Sequence, residues 1–256
     1  MTYARSGRWI LGALGFVVVF ALWWIIADTA FATTGVVPSP PALVAQIVAD
    51  GPEYYLAQIG VTLASAGQGY LWGVGLALIG SAIVLALPAT RHAVSQLALV
   101  VECAPAVAVG PVVLALTGGR TPSIFLAGLA VFFTTLIATV LGGYASRPTE
   151  RDALRVFGAR RHQIFTKVTA VAALPAAVNA LKIAVPGAIL GAIIGEYLGG
   201  VDSGIGVALA AAQRYIQVER TWIFGLSAAA VTCIAYGLLA LVQRYAFGWA
   251  REGRTR

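Results

Sequence analysis

Charge is scarce in this sequence: Asp, Glu, Lys and Arg together make up 11% of its 256 residues, less than half of the roughly 25% that an ordinary globular domain carries. So little charge cannot coat a water-facing surface, which excludes the soluble globular class, and the long apolar runs exclude disordered and fibrous classes. Cysteine is equally sparse. Cys103 and Cys233 both lie in apolar stretches, where they read as small buried hydrophobes and not as a disulfide scaffold. The two histidines, His92 and His162, stand apart among polar residues, and nowhere do Cys, His and carboxylates gather at ligand spacing, so no metal site is expected. Neither lysine, Lys167 or Lys182, belongs to a G-x-x-x-x-G-K-[ST] phosphate loop. The chain is therefore expected to bind no cofactor and to hydrolyse no ATP itself.

What is abundant is apolar surface: 59% of the residues, with a mean hydropathy of +0.86 and 29 glycines. A helix rises about 1.5 Å per residue, so crossing about 30 Å of hydrocarbon takes roughly 20 apolar residues. Six such runs are present, at about 9–27, 62–87, 97–116, 124–144, 174–198 and 222–243. The first follows Arg5 and Arg8 and precedes a cleavage-like Ala30-Phe31-Ala32, as a signal peptide would, but its apolar run is too long for one. Residues 54–61 extend the second as an interfacial lead-in, and Glu102, Pro105 and Pro111 interrupt the third.

An even number of spans puts both termini on one side. With the N-terminus inside, that side collects thirteen basic residues: Arg5, Arg8, Arg91, Arg147, Arg151, Arg155, Arg160, Arg161, Lys167, Arg244, Arg251, Arg254 and Arg256. Outside fall only Arg120, Arg214 and Arg220, with Lys182 inside a span. The asymmetry follows the positive-inside rule, so the net charge of +7 marks topology. Nucleic acid, the other partner a basic chain suggests, loses its motivation. The expected fold is all-α: a polytopic membrane protein with one transmembrane domain over 1–256 and cytoplasmic termini.

Two loops stand out. Pro38-Ser39-Pro40-Pro41 fixes an extended turn, and Leu43, Ile47 and Val48 follow at helical spacing, reading as an outer-face surface helix or a plain connector. The inner loop, about 146–172, is strongly charged. Thr149 and Asp152 have capping-box spacing, and Gly158 is placed to end a short helix in the left-handed conformation. Ala153, Leu154 and Phe157 make one apolar stripe; Glu150, Arg151, Asp152 and Arg155 fill the remainder. A second helical stretch, Arg160 to Ala172, leads to Pro175. The amphipathic stripe suits either a lipid interface or a groove on a soluble partner.

Along the fifth run, Gly187, Gly191, Gly195 and Gly199 recur every four residues, a groove that another backbone can approach closely, from within the chain or from outside it. Lys182 and Glu196 lie fourteen residues apart on that helix, about 21 Å and too far to pair. Lys182 is expected to snorkel toward the inner end. Glu196, near the outer end, is expected to snorkel to the interface, to serve at an outer gate, or to fix the Ser203-Gly204-Ile205-Gly206 turn.

Asp152-Ala153-Leu154-x-x-x-Gly158 resembles the Glu-Ala-Ala-x-x-x-Gly loop of ATP-binding-cassette importer permeases. Val37-Pro38-Ser39-Pro40 is similar to the Leu-Pro-Ser-Pro of the branch serving nitrate, sulfonates, taurine and thiamine precursors. Gly195-Glu196-Tyr197-Leu198-Gly199 with Ser203-Gly204-Ile205-Gly206 resembles that branch's Ala-Glu-Met-Leu-Gly and Gly-Leu-Gly pair. The agreement runs from about Gly35 to Trp249. Asp152 departs from the usual Glu and Leu154 from the second Ala, which implies a differently shaped groove in the partner, and the loop ends on Val168-Thr169-Ala170-Val171 where the family has Ile-x-Leu-Pro. The resemblance implies a type I importer permease fold with six transmembrane helices in the cytoplasmic (inner) membrane of a prokaryote. It implies docking to a cytoplasmic ATPase dimer through Thr149, Arg151, Asp152, Ala153, Leu154, Phe157, Gly158 and Ala159, with ATP and Mg held by that ATPase. It further implies a second copy of the chain, an extracytoplasmic substrate-binding protein, Gly187, Gly191, Gly195, Glu196 and Gly199 at the pathway or dimer interface, and Ser203, Gly204 and Gly206 at the outer gate. The cargo would be a small solute such as nitrate, a sulfonate, taurine or a thiamine-type precursor. Two other classes compete: a stand-alone ion-coupled transporter or channel, and an intramembrane enzyme. The first calls for inverted repeats or several mid-bilayer charges and the second for facing catalytic groups, and the sequence offers neither.

Overall fold

The computed structural model of the chain describes residues 3–87, 96, 106–145, 148–199 and 201–246. Arg91, His92, Glu102, Cys103, Pro105, Arg147 and the basic tail lie outside the described residues, as does the first half of the third expected span. The described elements are all helical. In chain order they are α1 (Tyr3–Thr29), α2 (Pro40–Asp50), α3 (Pro52–Ala86), α4 (Ala106–Thr117), α5 (Thr121–Tyr144), α6 (Pro148–Val156) and α7 (Arg161–Ile164). A π-helical turn (Phe165–Thr169) follows, then α8 (Ala170–Tyr197), α9 (Ile205–Arg214) and α10 (Val218–Ala246). Among the described residues four stretches are long and apolar enough to cross a membrane: Pro52–Ala86, Thr121–Tyr144, Arg161–Tyr197 and Val218–Tyr245. Leu14–Thr29 and Ala108–Thr117 are shorter apolar helices.

Two boundaries differ from the sequence reading. The interfacial lead-in at 54–61 is part of one 35-residue helix, α3. At about 1.5 Å per residue α3 is some 50 Å long, more than a bilayer core, so one end must project beyond the hydrocarbon. Gly51, at φ 82, ends α2, and Pro52 opens α3, where a missing N–H costs nothing. Pro175 does not separate the loop from the fifth span either. α7, the π turn and α8 run on from Arg161 to Tyr197 with Pro175 and Pro186 inside α8, because each proline removes a single intrahelical bond while its neighbours keep theirs.

The chain forms two compact units, 57–208 with 227–256 and 1–56 with 209–226. The larger unit is built around α5 laid along α8. Its core joins Ala66 of α3, Ala127 and Val131 of α5, and Ala184, Val185, Ala188, Ile189 and Ala192 of α8, flanked by Val231, Ala235 and Leu239 of α10. The residues are small because the backbones are close. A Cβ on Gly69 would stand 2.5 Å from the Ile124 carbonyl oxygen, and one on Gly191 would stand 2.6 Å from that of Leu126. Gly191→Val must therefore force α5 and α8 apart, an overpacking cost of about 1–3 kcal/mol. Thermal unfolding of the detergent-solubilised chain should show that loss, whereas Gly75→Val, whose Cβ meets nothing within 4 Å, should be near wild type.

The smaller unit is held by an ion pair between α2 and α10. Arg220 Nε donates to Asp50 Oδ2 at 2.9 Å and Nη2 donates to Oδ1, while the Tyr55 hydroxyl donates to Oδ2 at 2.6 Å. Trp222 Nε1 donates to the Val36 carbonyl, and the Trp222 ring stacks on Trp23 of α1 with centroids 5.9 Å apart. Ile216, at φ 56, occupies the left-handed position that closes α9, where the Gln217 N–H reaches the Ala212 carbonyl at 2.8 Å. The hydrogen bond from the Arg220 guanidinium, against the opposing effect of burial, holds the Asp50 carboxyl well below the usual carboxylate range. A carboxyl depressed on folding contributes stability above its unfolded value, about pH 4, and loses it as the pH falls toward the depressed value. The unit should therefore keep this contribution down to about pH 4 and lose it in stronger acid. The Asp50 side chain is 8% exposed and Arg220 33%, so Arg220→Ala should cost about 1–3 kcal/mol, between an exposed pair and a buried one. A pH series of thermal midpoints for both proteins checks the sign and the size: the variant should be the less acid-dependent.

Candidate functional site

α6 is two turns long. Its end is fixed by Gly158 at φ 76: the Gly158 N–H donates to the Arg155 carbonyl and the Ala159 N–H to that of Leu154, both at 2.9 Å, the bond pair of a left-handed helix stop. A Cβ at Gly158 would meet nothing, so conformation, not space, asks for glycine there. The Arg160 N–H then donates to Gln163 Oε1 at 2.8 Å and starts α7. The capping box expected of Thr149 and Asp152 is not how α6 begins. The helix opens at Pro148, which puts Thr149 inside the first turn, and Asp152 accepts from Arg155 Nη1 at 2.9 Å, an exposed pair of small energetic value.

The apolar stripe is mostly uncovered. Ala153 is exposed and Leu154 half-buried, while Val156 and Phe157 are 85% and 86% exposed. Of Arg151 only the backbone, within α6, is described. Among the described residues, this short polar helix thus leaves a valine and a phenylalanine uncovered at its end.

At the other end of α8, Glu196 organises a second constellation. Gly199, at φ 102, follows the helix, and the chain returns through Ser203-Gly204 into α9. The first backbone N–H groups of a helix have no intrahelical partner. Here Gly204 N–H donates to Gln58 Oε1 at 2.6 Å, Ile205 N–H to Thr62 Oγ1 at 2.8 Å and Gly206 N–H to Glu196 Oε2 at 3.0 Å. Thr62 Oγ1 in turn donates to Glu196 Oε2 at 2.8 Å, and Arg120 Nη2 donates to Ser203 Oγ at 2.8 Å. Glu196 is 1% exposed. Its carboxylate suits a helix N-terminus, where the backbone dipoles favour negative charge. Gly204 sits at φ 131, and a Cβ there would run into the Glu196 carboxylate, as one on Gly206 would into the Ile193 carbonyl. The structure thus brings Glu196 together with Ser203, Gly204 and Gly206, and adds Gln58, Thr62 and Arg120, which the sequence reading did not single out.

The glycine stripe of α8 faces α5 within the chain. Gly187 looks onto Ala130, Gly191 onto Leu126 and Gly195 onto the Ser123 backbone. The opposite face, with Pro175, Asn179, Ile183 and Leu190, is uncovered. Lys182, expected to snorkel, is half-buried, with Nζ 5.5 Å from the Tyr236 ring centroid on α10, within cation–π range. Cys233, expected to be buried, is exposed on α10. Among the described residues no three His, Cys, Asp or Glu side chains stand together as metal ligands.

Long apolar helices packed through glycine and joined by a basic loop with a short amphipathic helix have the build of a helical membrane protein. The chain belongs to the family described as binding-protein-dependent transport system inner membrane component, whose model matches residues 69–247. It is also 24% identical, over 245 residues covering 94% of this chain and 88% of the relative, to a putative aliphatic sulfonates transport permease protein of Bacillus subtilis (strain 168). The resemblance to ATP-binding-cassette importer permeases therefore holds, and the chain is a membrane-resident, non-catalytic transport component.

Proposed function

We propose that this chain is the translocating subunit of an ATP-driven importer, that two copies form the path, and that a separate cytoplasmic ATPase drives it by engaging α6. The observation that carries the reading is the display of Val156 and Phe157 on a helix whose end Gly158 fixes, within the most basic loop of the sequence. Six spans, α1 and α4 joining the four long helices, place both termini and this loop in the cytoplasm and make one transmembrane domain of the chain. ATP and Mg belong to the ATPase. On the extracytoplasmic side a binding protein delivers the solute above the Glu196 turn, which serves as the outer gate together with Ser203, Gly204 and Gly206. The uncovered face of α8 meets the second copy or the path, and Glu196 ties that helix to the gate. The sulfonates permease relative favours a small sulfonate as cargo, with nitrate, taurine and a thiamine-type precursor as chemical neighbours.

Closure of the ATPase would draw two copies of α6 together and rock the bundles between inward-open and outward-open states. Affinity purification of the tagged chain from its native membrane tests the proposal. A stoichiometric ATPase should copurify, and liposomes holding the permease alone should be inactive. Solute transport by the permease alone would overturn it in favour of a stand-alone transporter.

A further inference from the structure

A cavity of about 740 Å³ lies where α3 and α5 end against the loop carrying α6 and α7, within the roughly 300–1,000 Å³ of small-molecule sites. Its wall combines two chemistries. Leu85, Leu87, Ile164 and Phe165 are apolar, while Arg155 and Arg161 are cationic. Arg161 makes no ion pair among the described residues, and Arg155 pairs through one nitrogen with an exposed Asp152, so guanidinium donors remain on both. Phe165 and Thr169, the first and last residues of the π turn, also line the cavity, and π turns inside helices are frequent at functional sites.

We propose that this cavity binds an anionic phospholipid, Arg155 and Arg161 holding its phosphate and the leucines and Phe165 covering the first carbons of its chains. The guanidinium fork matches phosphate oxygens in pairs, and basic pockets between transmembrane helices are recurrent headgroup sites. A soluble anion would have no use for the apolar wall. The cavity also stands where the apolar stretches of α3 and α5 stop, at Ala86 and Tyr144, the level at which headgroups meet a bundle. A lipid there would wedge the base of α6 against the bundle and set the position of the helix that carries Phe157. The proposal rests on the importer reading only for the cytoplasmic placement of the loop.

The test is native mass spectrometry of the full-length chain in a neutral detergent, titrated with phosphatidylglycerol, phosphatidylcholine or glycerol phosphate. One phosphatidylglycerol should be retained in preference to phosphatidylcholine. Arg161→Gln should weaken retention about fivefold and the Arg155→Gln/Arg161→Gln pair about 25-fold, while Arg214→Gln on α9 changes nothing. On the wild-type chain, a photoactivatable phosphatidylglycerol should label residues within 85–87 and 161–169. Equal binding of both lipids, undiminished binding by the double variant, labelling elsewhere, or displacement by an equal concentration of glycerol phosphate would each overturn the proposal. None of these readouts involves an ATPase or transport, so a negative result leaves the importer reading standing.

Discussion

Ala153→Asp is expected to leave the chain helical and in the membrane yet lower ATP-driven uptake by about 100-fold or more, and Gly158→Pro is expected to do the same. Ala153 is exposed on the helix that displays Val156 and Phe157, so the new carboxylate disturbs nothing within the chain. In the proposed complex it would be buried unpaired in the partner's groove, a cost of about 3 kcal/mol or more, and every 1.4 kcal/mol is about tenfold. Gly158→Pro acts on shape. Proline fixes φ near −65°, whereas the stop of α6 needs the φ of 76 found at Gly158. Gly158→Ala should be milder, because its Cβ has room and the left-handed backbone costs only about 1–2 kcal/mol. Uptake in cells and ATPase stimulation in proteoliposomes are the readouts; wild-type uptake by Ala153→Asp would remove α6 from the mechanism.

The second large effect belongs to Glu196. Glu196→Ala leaves the Gly206 N–H without its acceptor inside the protein, leaves the Thr62 hydroxyl only the longer bond to the Gln58 carbonyl at 3.3 Å and opens a void, a combined cost of about 3–5 kcal/mol. Both the thermal midpoint and transport should fall. Glu196→Gln keeps the volume and one acceptor oxygen, so it should recover most of the stability if hydrogen bonding to the turn is what matters. Gly204→Val should resemble the alanine variant, since it combines a backbone at φ 131 with a collision against the carboxylate. A glutamine variant as damaged as the alanine one would mean that the negative charge itself, and not the capping of α9, is required.

The features legible in the sequence were those set by neighbours along the chain. Gly158 ends α6 where a stripe of Ala153, Leu154 and Phe157 required an end, and Glu196 reaches a turn only ten residues away. Long apolar runs located α3, α5, α8 and α10 because lipid imposes both length and composition. What escaped were partners distant in sequence. Gln58 and Thr62 meet the turn across 146 and 143 residues, and Asp50 meets Arg220 across 170; a glutamine or threonine in an apolar run carries no sign of its partner. The glycine stripe shows the same limit. Spacing every four residues announces a close approach but not by which helix, and Gly191 and Gly195 turn out to face α5. Proline misled at 175, since the α-helix resumes after the π turn and carries Pro175 within it.

The proposed engagement of α6 is tested most directly by a disulfide crosslink. In a background with Cys103 and Cys233 replaced by serine, Phe157→Cys should crosslink to single cysteines placed in the groove of the copurifying ATPase, in a yield that changes between nucleotide-free and ATP-bound states. Val44→Cys, on an exposed face of α2, should not crosslink at all. Absence of any crosslink from residue 157, with the ATPase present and transport intact, would contradict the account.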